Sequence, residues 1–481
     1  MSTRTRRDFL KITAAAATAA TAVSRAAVST AADAGPAGPT HTGDIDVRVT
    51  SGEKRYASAD PLRWHQASGK ASAASIALDP DKKLQPILGF GAAFTDAACY
   101  VFSQMPDAKR ESLLEELFDP KQMGLGVCRT CIGSSDYARN VYSYDEGDPD
   151  PELERFSIEH DRAYILPTIR KARAINPALF LLGSPWSPPG WMKDNNTMIG
   201  GTIRTRYLDA YANYFVKFLE GYKGEGAEVN AVTSQNEVDT DQDSRMPACL
   251  FPQEVEVKFV GLCLGPAIER SGLKTKIWLI DHNYNLWGRA IAELDDPTVR
   301  KYSNAIAWHG YVGKPEWMQK VAAAHPDAEM HWTEGGPDII DPAYASDWAK
   351  WGRTFAGVLR NGARSIIGWN LALDENGKPN VGPFPCGGLV TVNSKTSEVT
   401  RSGQYWGFAH YSRAIEREAV VIPSRGEITG VDHVAARNPN GGYVLILTNS
   451  GAKPQTVQVQ LGSQAADVDL PADSVSTLTW S

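Results

Sequence analysis

Between residues 84 and 416, short apolar runs alternate with longer stretches in which apolar residues recur every three or four positions. The first pattern fits strands buried on both faces and the second fits amphipathic helices. Their alternation predicts βα units and a parallel sheet. Candidate strands lie at or end near Gly89-Phe90, Val127–Ile132, Leu179–Leu182, Val229–Thr233, Lys276–Ile280, Ala305–Trp308, Glu329–His331 and Ser365–Ile367. Among the helical stretches, Tyr207–Leu219 puts Leu208, Tyr211, Tyr214, Phe215, Phe218 and Leu219 on one stripe. Eight strands with eight helical patterns is the count of a (β/α)8 TIM barrel, an α/β fold. A doubly wound sheet would instead carry a Gly-rich phosphate turn after its first strand. Here Gly89-Phe90-Gly91 is followed by Phe94-Thr95-Asp96 where a third glycine belongs.

The two ends of the chain have another period. In 44–83, Ile45, Val47 and Val49 alternate with Asp46 and Arg48, and 417–481 holds the β-rich runs Tyr443–Leu447 and Thr456–Leu461. Gly441-Gly442 and Pro471 mark turns. Both ends are therefore expected to build one β-sandwich side domain packed against the barrel. A Gly/Pro-rich linker at 35–43 precedes it.

Residues 1–34 read as a leader. Arg6-Arg7-Asp8-Phe9-Leu10-Lys11 precedes a weakly hydrophobic Ala/Thr stretch, and Ala32-Asp33-Ala34 offers a small-x-small cleavage pattern. This predicts a twin-arginine signal peptide and a periplasmic or secreted protein. The leader holds Arg4, Arg6, Arg7, Lys11 and Arg25 against Asp8 and Asp33, so the chain's net charge of −7 becomes about −10 on its removal. An acidic surface disfavours nucleic acid and anionic lipid as partners. No long uncharged apolar run follows the leader, so no membrane span is expected. Of the six cysteines, Cys128 and Cys131 are spaced C-x-x-C but lie in a strand, on opposite faces, with no second pair. Buried free thiols are expected, with one disulfide elsewhere left open.

Two carboxylates stand just past strand ends, where a barrel does its chemistry. Glu237 closes Ala231-Val232-Thr233-Ser234-Gln235-Asn236-Glu237, and Glu334 follows His331-Trp332-Thr333 and precedes Gly335-Gly336. One such Glu is more often a salt-bridge partner. Two of them, after the fourth and seventh strands, fit the cleavage of a glycosidic bond, with an acid on one side and a nucleophile on the other. A carbohydrate-binding protein without turnover would have lost one of the pair. The 13 Trp and 17 Tyr add rings suited to stacking on sugars.

The ordered blocks Gly89–Ala98, Ser184–Lys193, Gln235–Glu237, Trp308–Tyr311, Thr333–Gly336 and Trp369–Asp374 resemble glycoside hydrolase family 30, in particular its glucosylceramidase-type retaining β-glycosidases. The resemblance implies that Glu237 is the acid/base and Glu334 the nucleophile. It implies that Asp96 and Trp186 hold outer hydroxyls, Asn236 binds the 2-hydroxyl, Tyr311 sits against the nucleophile and Trp369 walls the sugar site. His309 falls within a matching block, and His282-Asn283 would border the leaving group. No cofactor or metal is implied.

By the residues themselves, Asp96 is suited to gripping two hydroxyls or to capping the following helix, and Trp186 is held among prolines. Glu237 should have a raised pKa, chiefly from the Glu334 charge and desolvation. The loop Lys378–Val390 departs from the family pattern, with no match to its second sugar-contacting Asn. β-Glucosides are the first expectation for the substrate, lipid-linked ones being implied by resemblance only. β-Xylosides, β-fucosides and β-1,6-glucan are the alternatives.

Overall fold

The computed structural model describes residues 43–67 and 75–481. The leader expected over 1–34 and all but Gly43 of the linker expected over 35–43 lie outside the described residues.

Eight parallel strands close into a barrel. They are β1 (Gly89–Phe94), β2 (Val127–Cys131), β3 (Phe180–Ser184), β4 (Ala231–Thr233), β5 (Lys276–Asn283), β6 (Ala305–His309), β7 (Glu329–Glu334) and β8 (Ala363–Asn370), with β8 paired back to β1. The helical stripe read from Tyr207 onward forms Leu208–Gly224 and buries Tyr211, Tyr214, Phe215 and Phe218. Trp308 and Trp332 pack in the large apolar core between strands and helices. Close approach of β1 to β2 requires Gly91, where a Cβ would lie 2.0 Å from the Val127 carbonyl oxygen.

The barrel interior is layered. Val127, Leu182, Ala231, Trp278, Ala305, Ala307 and Ile367 form an apolar plug. Two residues further along their strands, Arg129, Ser184, Thr233 and His309 are also buried. Strand alternation carries each strand from an apolar to a polar inward residue. On β5 the alternation is broken. Ala307 pairs with Ile280 and Trp308 with His282, so Asp281 is the extra residue of a bulge. Ile280 then joins the outer core, and Asp281 is fully buried among the polar residues.

The second domain is a β-sandwich made from both ends of the described chain. Ile45–Ser51 pairs antiparallel with Ser474–Trp480 in a six-stranded sheet, and Ser75–Leu78 lies beside Gln455–Leu461 in a five-stranded one. Their facing side chains, among them Ile45, Ile76, Leu445, Val459 and Leu478, form a separate core. All six cysteines are free thiols, five of them buried. Among the described residues, no helix is long and apolar enough to cross a membrane.

The barrel meets the sandwich through His410, whose ring nitrogens lie 2.8 Å from the hydroxyls of Thr477 and Thr50. Burial brings the His410 pKa down from 6.5 to about 3, and those of His331 and His433 to about 4. The fold keeps these rings neutral, whereas the unfolded chain takes up their protons below 6.5. Their contribution to stability is complete above 6.5 and is lost as the pH falls toward 3. Urea denaturation is expected to show stability decreasing from pH 6.5 to 4, with a shallower slope in His410→Gln.

Candidate active site

At the C-terminal mouth of the barrel lies a cavity of about 480 Å³. Its lining includes Glu237, Glu334, Trp186, Trp369, Asn236, His282, Asn283 and Tyr311, brought there from β3, β4, β5, β6, β7 and β8 or the residues after them. The Trp186 and Trp369 indoles stack at 5.0 Å, with Tyr137 edge-on to Trp369. Trp191 is buried under the loops, its indole donating to the Asp145 carbonyl.

Beneath the cavity sits Arg129, which is fully buried. Its guanidinium bonds the Glu334 carboxylate, donates to Asn236 Oδ1 at 2.7 Å and Asp281 Oδ2 at 2.6 Å, and reaches Ser184 Oγ at 3.0 Å. Because Asn236 accepts through its oxygen, its NH2 group is left to donate elsewhere. Burial alone would lower the Arg129 pKa, but the Asp281 and Glu334 charges more than offset it and the net shift is upward. Burial likewise opposes ionisation of Asp281, yet Arg129 and His309 hold its carboxyl far below the usual range. Asp281 also accepts from Thr233 at 2.8 Å and Thr333 at 2.7 Å. Ile280 and Asp281 have φ of 73° and 45°, and Glu237 has φ of 55°. Such left-handed conformations in non-glycine residues cluster where surrounding bonds enforce them.

His309 lies below the lining rather than on it. Its Nε2 is 3.0 Å from Asp281 Oδ1, and its Nδ1 is 3.4 Å from Glu237 Oε1 and 3.9 Å from Glu334 Oε1. Burial disfavours the charged ring, but Glu334, Asp281 and Glu237 raise its pKa to about 9. One oxygen of Glu237, one of Glu334 and a His309 nitrogen lie within 4.8 Å of one another. Among the described residues this is the cluster compact enough for a cation. At neutral pH His309 is protonated on both nitrogens and offers no lone pair to a metal.

The environment of Glu237 reverses the sequence expectation. Burial does raise its pKa, but His309, His282 and the Gln242 amide outweigh it, and the net shift is downward. The expectation considered Glu334 and desolvation but not the two histidines. His282 bridges the site outward, with Nε2 3.5 Å from Glu237 and Nδ1 2.5 Å from Asp239. Tyr311, half-exposed, donates from its hydroxyl to Glu334 Oε1 at 3.1 Å. Desolvation and the Glu334 charge keep that phenol neutral well above its ordinary pKa.

Asp96, expected to grip sugar hydroxyls, is buried and is not among the residues lining the cavity in the free protein. Its carboxylate accepts from Arg139 N at 2.8 Å and Tyr164 at 2.7 Å, and lies 2.7 Å from His160. Its partners arrive from the loop after β2 and the segment beyond it, which sequence spacing could not place. The helix cap is Thr95, whose hydroxyl accepts from Ala98 N.

Sequence reading also passed over Arg129, Asp281, Gln242 and Asp136. The signal for the first two was a charge inside an apolar run, in Val127–Ile132 and Trp278–Asp281. Asp136 lines the cavity, 4% exposed, with Oδ1 lacking a partner. Burial, then the Glu334 and Glu237 charges, push its pKa well above the usual range. In the departing loop, Asn380 bonds the Phe384 carbonyl and Gly382 N, while Phe384, Pro385 and Cys386 line the cavity.

The glycosyl hydrolase family 30 TIM-barrel domain matches residues 87–415, and the family's β-sandwich domain matches residues 418–478. The chain belongs to glycosyl hydrolase family 30. Among its family 30 relatives, an endo-1,6-β-D-glucanase of Neurospora crassa is 32% identical over 440 residues, 86% of this chain and 90% of that protein. The lysosomal acid glucosylceramidase of Mus musculus is 26% identical over 446 residues, 86% of this chain and 85% of that protein. A solved endo-β-1,6-glucanase superposes with a TM-score of 0.83 at 28% identity, covering 92% of this chain and 99% of that one. This family 30 chain is a glycoside hydrolase.

Replacing Arg129 by Ala would leave buried carboxylates unpaired. A loss of about 3–5 kcal/mol in unfolding free energy is expected, measured by urea denaturation near neutral pH. Activity is expected to collapse in the fraction that still folds.

Proposed function

We propose that this enzyme cleaves β-1,6-linked glucan internally, by double displacement with retention. The observation that carries the chemistry is the approach of Glu237 and Glu334 to within 4.8 Å, oxygen to oxygen, across one cavity. Retaining enzymes hold their carboxyl groups about 5–5.5 Å apart, and inverting ones about 6.5–9.5 Å, to admit a water. Glu334, aligned by Arg129 and Tyr311, attacks the anomeric carbon while Glu237 protonates the departing oxygen. Water then cleaves the glycosyl-enzyme with Glu237 as base. Asn236, whose oxygen is engaged by Arg129, would donate its NH2 group to the 2-hydroxyl, and Trp186 and Trp369 would wall the ring. The lowered pKa of Glu237 favours its second role and puts the alkaline limb of activity on the acid side of neutrality.

Substrate choice rests on the relatives and on the cavity walls. Relatives named as endo-1,6-β-glucanases match at 29–32% identity over 82–86% of this chain. In a β-1,6-linked chain the glucose being cleaved carries the next glucose on its O6, so sugars must fit on both sides of the carboxylates. The lining continues past Glu237 with Thr240, Gln242 and Met246, and past Glu334 with Pro337, Asp338 and Phe384–Cys386. Such a polysaccharide is met outside the cell, in keeping with the export signal expected at residues 1–34.

A linear β-1,6-glucan should lose viscosity early and yield mixed oligosaccharides of β configuration. Release of glucose alone, or activity confined to glucosylceramide in detergent, would move the protein to the glucosylceramidase reading. Glu334→Ala should abolish turnover and be rescued by azide with inversion. Glu237→Ala should lower glucan turnover by about 10²–10⁴-fold while sparing the first step on activated aryl glycosides. A reversed rescue pattern would exchange the two roles.

A further inference from the structure

Beyond β4 the backbone is strained twice. Glu237 has φ of 55°, and Gln242, Asp243 and Ser244 follow with φ of 55°, 51° and 55°. Three successive non-glycine residues in the left-handed region are unfavourable and persist only where neighbours hold them. Gln242 N donates to Thr240 Oγ1 at 3.0 Å, and Asp243 N donates to Asp241 Oδ1 at 3.2 Å. A third bond leaves the turn altogether: the Gln242 side-chain amide donates to Glu237 Oε2. The turn thus aims one side chain at the proposed acid.

The two oxygens of Glu237 have different company. Oε1 lies 3.4 Å from His309 Nδ1 and 3.5 Å from His282 Nε2, whereas Oε2 is held by Gln242. The other charged or titratable groups that Glu237 meets are Glu334, Tyr311 and Asp136 around the cavity, with Asp239 behind His282 and Asp281 behind His309. A cationic His309 beside Oε1 repels a proton there. The transferable proton therefore belongs on Oε2, and Oε2 must face the glycosidic oxygen when substrate is bound. In the free enzyme, that place is taken by the Gln242 amide.

We propose that Gln242 is a positioning residue that stands in for the leaving sugar, holding Glu237 Oε2 in the free enzyme and transferring its amide to a hydroxyl of that sugar when substrate binds. The inference rests on Glu237 being the acid, not on which glycan is cleaved. While in place, the amide N–H stabilises the carboxylate. Once displaced, it no longer does, and Glu237 takes its proton more readily. Substrate thus helps to create the acid that cleaves it.

The pH dependence of kcat/KM reports the free enzyme and that of kcat the complex. Two substrates with one glycone are compared: one with a sugar leaving group and an alkyl glycoside, both of which need protonation. In the unaltered enzyme, the alkaline limb of kcat/KM should lie below that of kcat. Gln242→Leu should raise the kcat/KM limb by about one pH unit and leave the kcat limb where it was. Gln242→Glu, which sets a like charge beside Glu237, should raise the kcat/KM limb further. KM should rise severalfold for the sugar leaving group and stay level for the alkyl one.

Limbs that move together, limbs that do not move, or equal rises in KM on both substrates would overturn the proposal. Thermal midpoints of both variants near that of the parent show that folding is not the cause. If β-1,6-glucan is not a substrate, the pH comparison still applies to any glycoside that is. If Glu237→Ala retains full activity on alkyl glycosides, the acid assignment fails before Gln242 is tested.

Discussion

A single guanidinium buried without access to water organises the mouth of this barrel. Arg129 bonds side chains from β3, β5 and β7 and from the end of β4: Ser184, Asp281, Glu334 and Asn236. A desolvated charge is tolerable only if its partners are in place, so the cation and its acceptors must fold as one set. Lysine could not serve, since one point charge lacks the planar fork that faces several acceptors at fixed angles. The bulge at Asp281 follows from the same demand. An ordinary alternation would have turned this carboxylate toward the helices, and the left-handed backbone at Ile280 and Asp281 is what turns it inward. The bonds to Arg129, Thr233, Thr333 and His309 hold that strain in place.

The layering of the interior gives this network its force. Beneath it the apolar plug around Trp278 and Ile367 excludes water, and above it the stacked Trp186 and Trp369 narrow the approach. Charges between two such layers interact more strongly than they would in solvent. Two cations, Arg129 and His309, stand against Asp281, Glu237 and Glu334. Glu334 shares both cations, whereas Glu237 faces histidines and an amide. Two glutamates of identical chemistry are thereby set apart by their neighbours, which suits the proposed two-step reaction.

Much of the fold was legible in the sequence because strand and helix periods are local properties. The eight apolar runs became eight strands, and the alternation at Ile45–Val49 became a strand of the sandwich. The two glutamates were legible because strand ends are where barrels carry chemistry, and they meet in one cavity. What escaped depends on three-dimensional neighbours. Asp96 follows a conspicuous loop, yet Arg139, His160 and Tyr164 converge on its carboxylate. The direction of the Glu237 shift turned on histidines 45 and 72 positions along the chain, at His282 and His309. Arg129, between two cysteines, resembled a lapse in an apolar run until its four partners were assembled around it.

The side domain carries a consequence for how the molecule is completed. Ile45–Ser51 forms a hairpin with Lys54–Leu62, but its other edge finds a partner far along the chain, with Val47 registered against Leu478. The whole barrel is the loop that this pairing closes. During synthesis, Ile45–Ser51 must wait with an open hydrogen-bonding edge until the entire catalytic domain has emerged, the kind of exposed ribbon that chaperones recognise. Its final capture then joins head and tail of the fold within one six-stranded sheet.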